Sequence, residues 1–223
     1  MAHRHLKKQV LGLLQSAEWS EALAALASMP ARQVVNPLFG LLYHGEPLVR
    51  WRAVSAMGAV VAGLADRQME SARIIMRRFM WNLNDESGGI GWGSPESMAE
   101  IMARHAGLAN EYSAILISYA DPDGNFLEHP GLQQGVLWGL GRLGRARPEV
   151  ARRAAEFALP FLQQSHDPIL RGLAVWAVDP AMNDALRPEL EPLREDPRTL
   201  QIFIDDELVF CTVADLVAQI LAE

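Results

Sequence analysis

Apolar residues recur every three or four positions along almost the whole chain: Leu6, Val10, Leu13 and Leu14, then Trp19, Leu23 and Leu26, then Val34, Val35, Leu38, Leu41 and Leu42. That spacing gathers them on one face of a helix, and strand-like alternation is absent before residue 200. Pro30, Pro47, Pro95, Pro130, Pro148 and Pro168 punctuate the pattern at places suited to a first helical turn, where a missing N–H costs nothing. After residue 199 the pattern changes. Leu200-Gln201-Ile202-Phe203-Ile204 and Leu208-Val209-Phe210-Cys211-Thr212 are β-prone runs joined by Asp205-Asp206-Glu207, a hairpin signal. Thr212 then stands where it caps a last helix carrying Val213, Leu216, Val217 and Ile220.

Three prolines open related segments: Glu46-Pro47-Leu48-Val49-Arg50, His129-Pro130-Gly131-Leu132-Gln133 and Asp167-Pro168-Ile169-Leu170-Arg171. They stand 83 and 38 residues apart. If the longer interval covers two units, the period is about 40 residues, with the intervening unit starting at Pro95 behind a glycine-rich insertion. Two-helix units of this length cannot bury their apolar faces alone. Stacking gives them one core and leaves ends that need a cover. The expected layout is a repeat domain over 1–198 and a hairpin-plus-helix cap over 199–223.

The start acid-Pro-apolar-apolar-Arg at Glu46 and Asp167 resembles the opening of second helices in the HEAT-repeat family. Asn36-Pro37 and Leu159-Pro160 sit where its first helices carry a kinking proline. The resemblance covers roughly residues 30 to 178, and the unit at Pro95 departs from it by lacking the arginine. It implies an all-α fold, a right-handed α-α superhelix or HEAT-like solenoid of armadillo type, with second helices lining a concave face. The wording of residues 81–96 is also similar to a group of HEAT-like proteins from anaerobic, sulfate-reducing microbes, a likeness that implies no activity.

The insertion holds four glycines within six residues, at 88, 89, 91 and 93. Beside them stand Trp81, Glu86, Trp92 and Glu96. Glycines let another molecule approach the backbone closely, and inserted loops of repeat proteins tend to lie on a binding face. A dozen residues also exceed the usual connection between bundle helices. The simpler alternative is a helix stop and start, with Ser94 as N-cap and Glu96 favoured by the positive helix end. No Gly-Lys-Ser/Thr ending or preceding strand supports a phosphate loop.

Trp138 and Trp176 each fall eight residues after their repeat's proline. On a helical wheel that position lies opposite the main apolar stripe, on the same face as Trp51 and Gln134. Under the HEAT resemblance this face becomes an aromatic groove, to which Glu96 and Glu100 add negative charge. The alternative is that the two indoles fill space between repeats.

The net charge of −7 is uneven: residues 179–223 hold 11 acids and 3 bases, leaving the body close to neutral. This acidity disfavours nucleic acid, although the cluster of Arg73, Arg77 and Arg78 and that of Arg142, Arg145, Arg147, Arg152 and Arg153 could still meet phosphates. One cysteine, Cys211, permits no internal disulfide. The start lacks the apolar run of a signal peptide, and the uncharged stretch from Ala53 to Ala65 is 13 residues, short of a membrane span. A cytoplasmic protein without a membrane anchor is expected.

No metal or cofactor is expected. His44, His129 and His166 each lie within three residues of the proline that opens a second helix, and stacked repeats set them too far apart to share an ion. Asp121-Pro122-Asp123-Gly124-Asn125-Phe126-Leu127-Glu128 matches the turn before a metal-binding glutamate in glyoxalase-type proteins, but helical pattern flanks it on both sides and Asp-Pro-Asp-Gly is a good turn by itself. The leading expectation is a non-enzymatic binding or scaffold module for a protein segment or small ligand, using Trp81, Glu86, Trp92, Glu96, Glu100, Trp138 and Trp176. The alternative is a HEAT-like DNA glycosylase acting on alkylated bases, in which tryptophans hold a cationic base and an acid stabilises it.

Overall fold

A computed structural model describes residues 2–84, 90–164 and 166–222. In chain order its helices are α1 (Ala2–Leu14), α2 (Trp19–Ser28), α3 (Ala31–Leu41), α4 (Pro47–Ala65), α5 (Met69–Leu83), α6 (Ser94–Arg104), α7 (Ala106–Ser118), α8 (Pro130–Ala146), α9 (Pro148–Gln164), α10 (Pro168–Val178) and the single turn α11 (Arg187–Leu190). The strands β1 (Thr199–Ile204) and β2 (Glu207–Thr212) and the helix α12 (Val213–Ala222) follow. The protein is mainly helical, with one small antiparallel sheet near its C-terminal end, as the periodicity predicts. Pro47, Pro95, Pro130 and Pro168 all lie in first turns. Pro30 instead precedes its helix, as the N-cap residue of α3.

Two compact units make up the chain, Met1–Glu111 and Tyr112–Glu223. In the first, α4 is the hub, packing against α2, α3, α5 and α6. It is long and apolar enough to cross a bilayer by length and composition, and most of it is buried in this unit, including Val49, Val54, Met57, Val60 and Val61. Arg52 reaches from α4 to the end of α1, donating to the carbonyls of Leu14 (2.9 Å) and Ser16 (2.8 Å) while lying over the Trp19 ring. The Leu14 carbonyl is one that a helix end leaves without a partner. The α6 contact depends on Gly58, since a β-carbon there would stand 2.4 Å from Cγ of Glu100.

The second unit repeats that device. α8 and α10 pack closely where Gly141 leaves room for Trp176, and β1 lies on α10 where Gly172 leaves room for Leu200. Gly58 and Gly141 both come eleven residues after the proline that opens their helix. Glycine costs a helix about 1 kcal/mol relative to alanine, and here it sets how closely the next layer approaches.

The hairpin pairs Ile204 with Glu207 and runs in register to Thr199 with Thr212. Asp205 and Asp206 form its two-residue turn with φ of 49° and 65°, a left-handed conformation that aspartate tolerates and that matches strand twist. Thr212 and Asp215 cap α12 reciprocally: Asp215 N–H donates to Thr212 Oγ1 (3.0 Å), and Thr212 N–H donates to the Asp215 carboxylate (2.8 Å). That backbone donor holds the Asp215 carboxyl below its ordinary pKa. Buried Asp196 ties the segment before β1 to α10 by accepting from Arg171 (3.2 Å) and is bridged by Arg198.

Candidate functional site

The residues singled out in the sequence divide between the two units. In the first, Trp81, in the last turn of α5, is 74% exposed, and Ile74, two turns earlier on the same stripe, is 57% exposed. Burying a large apolar side chain is worth about 1.5–3 kcal/mol, so two left in water on one helix face form an unsatisfied apolar patch. The neighbouring arginines are engaged. Arg77 pairs with Glu70 (2.6 Å), Arg73 pairs with Glu111 (2.6 Å), and Arg78 donates to Asn36 (2.7 Å) with its guanidinium over Phe39. Two of the three charges are thus paired with carboxylates and the third is engaged by a neutral amide and a ring, which weakens the cluster as a phosphate surface.

Glu86 lies outside the described residues. Beyond it, Gly91 (φ 71°) and Gly93 (φ 74°) adopt left-handed conformations, and Gly93 packs against Leu42 and serves as the N-cap residue of α6. Ser94 is therefore not the cap that the sequence suggests. The positive φ at Gly93 brings the chain into the helix one residue earlier, and the Ser94 hydroxyl ends buried without a hydrogen-bond partner. Trp92, within this turn, is half-buried.

Glu96, in the first turn of α6, has an enclosed carboxyl whose Oε2 makes no hydrogen bond. Burial pushes its pKa up to about 7, against the smaller opposing effects of its own backbone N–H and of Arg50. A carboxylic acid poised near neutrality is a common mark of a functional site. Ser97 Oγ is also buried and unpartnered. At 100° per residue, however, Ser94 and Ser97 leave the helix on one side and Glu96 on another, so the three do not converge on one ligand. Glu100 is buried, accepts from Arg104 Nε (2.6 Å) and fills the space beside Gly58. It is a packing residue held by an ion pair.

In the second unit, Trp138 and Trp176 are buried, with 3% and 9% exposure, and form no shared aromatic groove; Trp176 alone edges a cleft beside the hairpin turn. Trp176 Nε1–H donates to the Trp138 carbonyl (3.1 Å), and Trp138 Nε1–H donates to the Phe203 carbonyl (2.8 Å). The face opposite the main apolar stripe is covered by the next helix and by the hairpin. The signal for this was present in the repeat: glycines at matching positions of α4 and α8 announce that something large packs there.

Arg145, absent from the sequence reading as an individual candidate, is the most connected cation near these indoles. It stacks on Trp176 (3.2 Å to the ring centroid), donates to the carbonyls of Gly141 and Trp176 (3.0 Å each) and pairs with Asp179. Burial lowers its pKa to about 10, with Asp179 the largest opposing influence.

Two of the histidines at repeat starts accept backbone bonds, and one of them, His129, caps its helix. His129 Nδ1 accepts from Gly131 N–H (3.1 Å) and His44 Nδ1 from Glu46 N–H (3.2 Å). The segment at Asp121 is a turn, closed by Gly124 N–H donating to the Asp121 carbonyl (2.9 Å). Among the described residues, no three His, Cys, Asp or Glu side chains are grouped to hold a metal ion.

No family model matches the chain. A protein of Archaeoglobus fulgidus, itself described only as uncharacterized, is 23% identical over 189 residues, spanning 83% of this chain and 94% of the relative. Among solved structures, a designed armadillo repeat protein superposes with a TM-score of 0.51 at 18% identity, covering 96% of this chain and 98% of that one. Another designed armadillo repeat protein, in complex with the peptide (KR)4, gives a TM-score of 0.52 at 17% identity, covering 96% and 97%. These likenesses show an armadillo-type helical repeat fold.

Proposed function

We propose that the protein is a non-enzymatic binding module that grips a protein segment on its first unit, with Trp81 as the anchor and with Glu86, Trp92 and Glu96 as further candidate contacts. The observation that carries this reading is the 74% exposure of Trp81, on one helix stripe with exposed Ile74. Tryptophan is the residue most often found at the energetic centre of protein interfaces. Support at the level of fold comes from the armadillo neighbour solved with a peptide. The DNA glycosylase alternative loses ground because Trp138 and Trp176 are buried and Arg73, Arg77 and Arg78 are engaged within the protein.

The test is recovery of partners from the source cell by wild-type protein and by Trp81→Ala, each with and without nuclease. A nuclease-resistant protein partner recovered by wild type and lost with Trp81→Ala, at an unchanged melting temperature, supports the module. Recovery that disappears on nuclease treatment favours the repair enzyme. Equal recovery by Trp81→Ala removes Trp81 as the anchor.

A further inference from the structure

The second unit contains a cleft of about 350 Å³ at the junction of α10, the hairpin turn and α12. Its size is that of a small ligand site. Ile204, Leu216 and Ile220 supply apolar surface beside the Trp176 ring, and Asp205 and Gln219 supply polar groups on exposed positions. Arg145 and Asp179 complete the lining.

The charges of this cleft are not balanced by what the protein provides. Arg145 is used up by two carbonyls, by the Asp179 carboxylate and by the Trp176 ring beneath it. It has little left to offer an anion. Asp205 is a second carboxylate in the same lining, and among the described residues its side chain makes no hydrogen bond or ion pair, although its field reaches Arg145. The two-residue turn, with φ of 49° at Asp205, holds it at the mouth. Two acids therefore face one arginine. The surrounding chain deepens the imbalance, since residues 179–223 carry 11 acids and 3 bases. A potential of that sign concentrates cations at the opening.

We infer that this cleft takes the side chain of a lysine on a partner peptide, its ammonium meeting Asp205 and the Gln219 amide oxygen and its methylenes lying along Ile204, Leu216 and Ile220. The chemistry selects lysine over arginine. A guanidinium gains most from a planar face to stack on and a carboxylate to grip with two bonds. Arg145 already occupies the Trp176 face, and Asp179 is committed to Arg145. An ammonium is a compact charge on an apolar stem and needs neither. This site lies within the second unit and is independent of the Trp81 surface.

The experiment uses the full chain, isotopically labelled, titrated with capped Gly-Lys-Gly and with matched peptides carrying arginine, norleucine or glutamate. The readouts are the amide signals of Asp205 and Asp206 and the Trp176 indole N–H. The lysine peptide should shift them saturably, with arginine several-fold weaker and with norleucine and glutamate without effect. Asp205→Asn keeps the left-handed turn, which asparagine also tolerates, and should weaken lysine binding about tenfold, the loss expected for one charge-assisted bond. Its melting curve should match wild type. Equal shifts from norleucine and lysine, no saturable shift from lysine, or full binding by folded Asp205→Asn would each overturn the assignment. The norleucine comparison decides the matter on wild-type protein alone if the variant fails to fold.

Discussion

Trp176 occupies space that only a glycine at 141 leaves open: a β-carbon there would stand 2.3 Å from Cδ1 of Trp176 and 2.8 Å from its carbonyl oxygen. The carbonyl belongs to the backbone of α10, so the clash cannot be relieved by a side-chain rotation. Gly141→Ala should therefore destabilise the protein by about 1–3 kcal/mol, the usual cost of overpacking, despite alanine's better helix propensity. Gly63→Ala is the control, because Gly63 lies in α4 with nothing within 4 Å of the added carbon. Thermal melting should show a lower midpoint for the first variant and an equal or higher one for the second. A Gly141→Ala protein that melts with wild type would show that the two helices can separate at no cost.

Trp138 links the same packing to the hairpin through its bond to the Phe203 carbonyl and its ring contact with Phe203 at 6.4 Å. Trp138→Phe keeps an aromatic ring but removes the donor, leaving a buried carbonyl without that partner. The expected cost is about 1–3 kcal/mol. Because the bond ends on β1, hydrogen exchange should speed up at β1 amides more than at amides of α4. Unchanged protection of β1 would mean that the hairpin is held by its apolar contacts alone.

Much of this architecture was legible from residue spacing. Prolines marked helix starts because the first turn needs no N–H there, and the shift to β-prone runs after residue 199 marked the hairpin. The two tryptophans were harder. A helical wheel shows which face opposes the densest apolar stripe, but helices in stacked repeats bury two faces, and the second was visible only in Gly58 and Gly141. Glu100 was read as groove charge for the same reason, whereas it is an ion-paired filler beside Gly58. Trp81 and Glu96 were legible as unusual residues. What the sequence could not supply was their exposure, which depends on the direction α5 and α6 take on leaving and re-entering the glycine stretch.

Removing residues 199–223 should strip Leu200, Ile202, Phe203, Leu216, Val217 and Ile220, all buried, from the surface they cover. α10 contacts both β1 and α12, so its outward face would be left in water together with the Trp138 indole N–H. Repeat arrays need a polar outer surface at their ends, and a large uncovered apolar patch leads to association. Light scattering of the truncated protein should show aggregation well below the melting temperature of the full chain. A truncated protein that stays monomeric with an unchanged melt would show that this segment is no cap.

Glu96 gives the protein a pH dependence that can be isolated. Its carboxyl titrates at about 7 in the folded protein, against 4.5 for a glutamate in water, so between these values the folded state holds the proton that the unfolded state has released. The contribution to stability is complete below about pH 4.5 and is lost as pH rises through 7, amounting to roughly 3 kcal/mol. Arg50 is the charged neighbour that acts on it, and it favours the ionised form. Glu70, Glu111 and Asp215 titrate below their ordinary range and tilt stability the other way at low pH. The informative quantity is thus the difference between wild type and Glu96→Gln, measured by denaturant unfolding from pH 4.5 to 8. Glutamine cannot ionise, so the variant should gain on wild type as pH rises and be the more stable of the two at pH 8. If the difference stays flat across that window, the Glu96 carboxyl is solvated or paired in solution, and the enclosure that makes it a candidate site residue is absent.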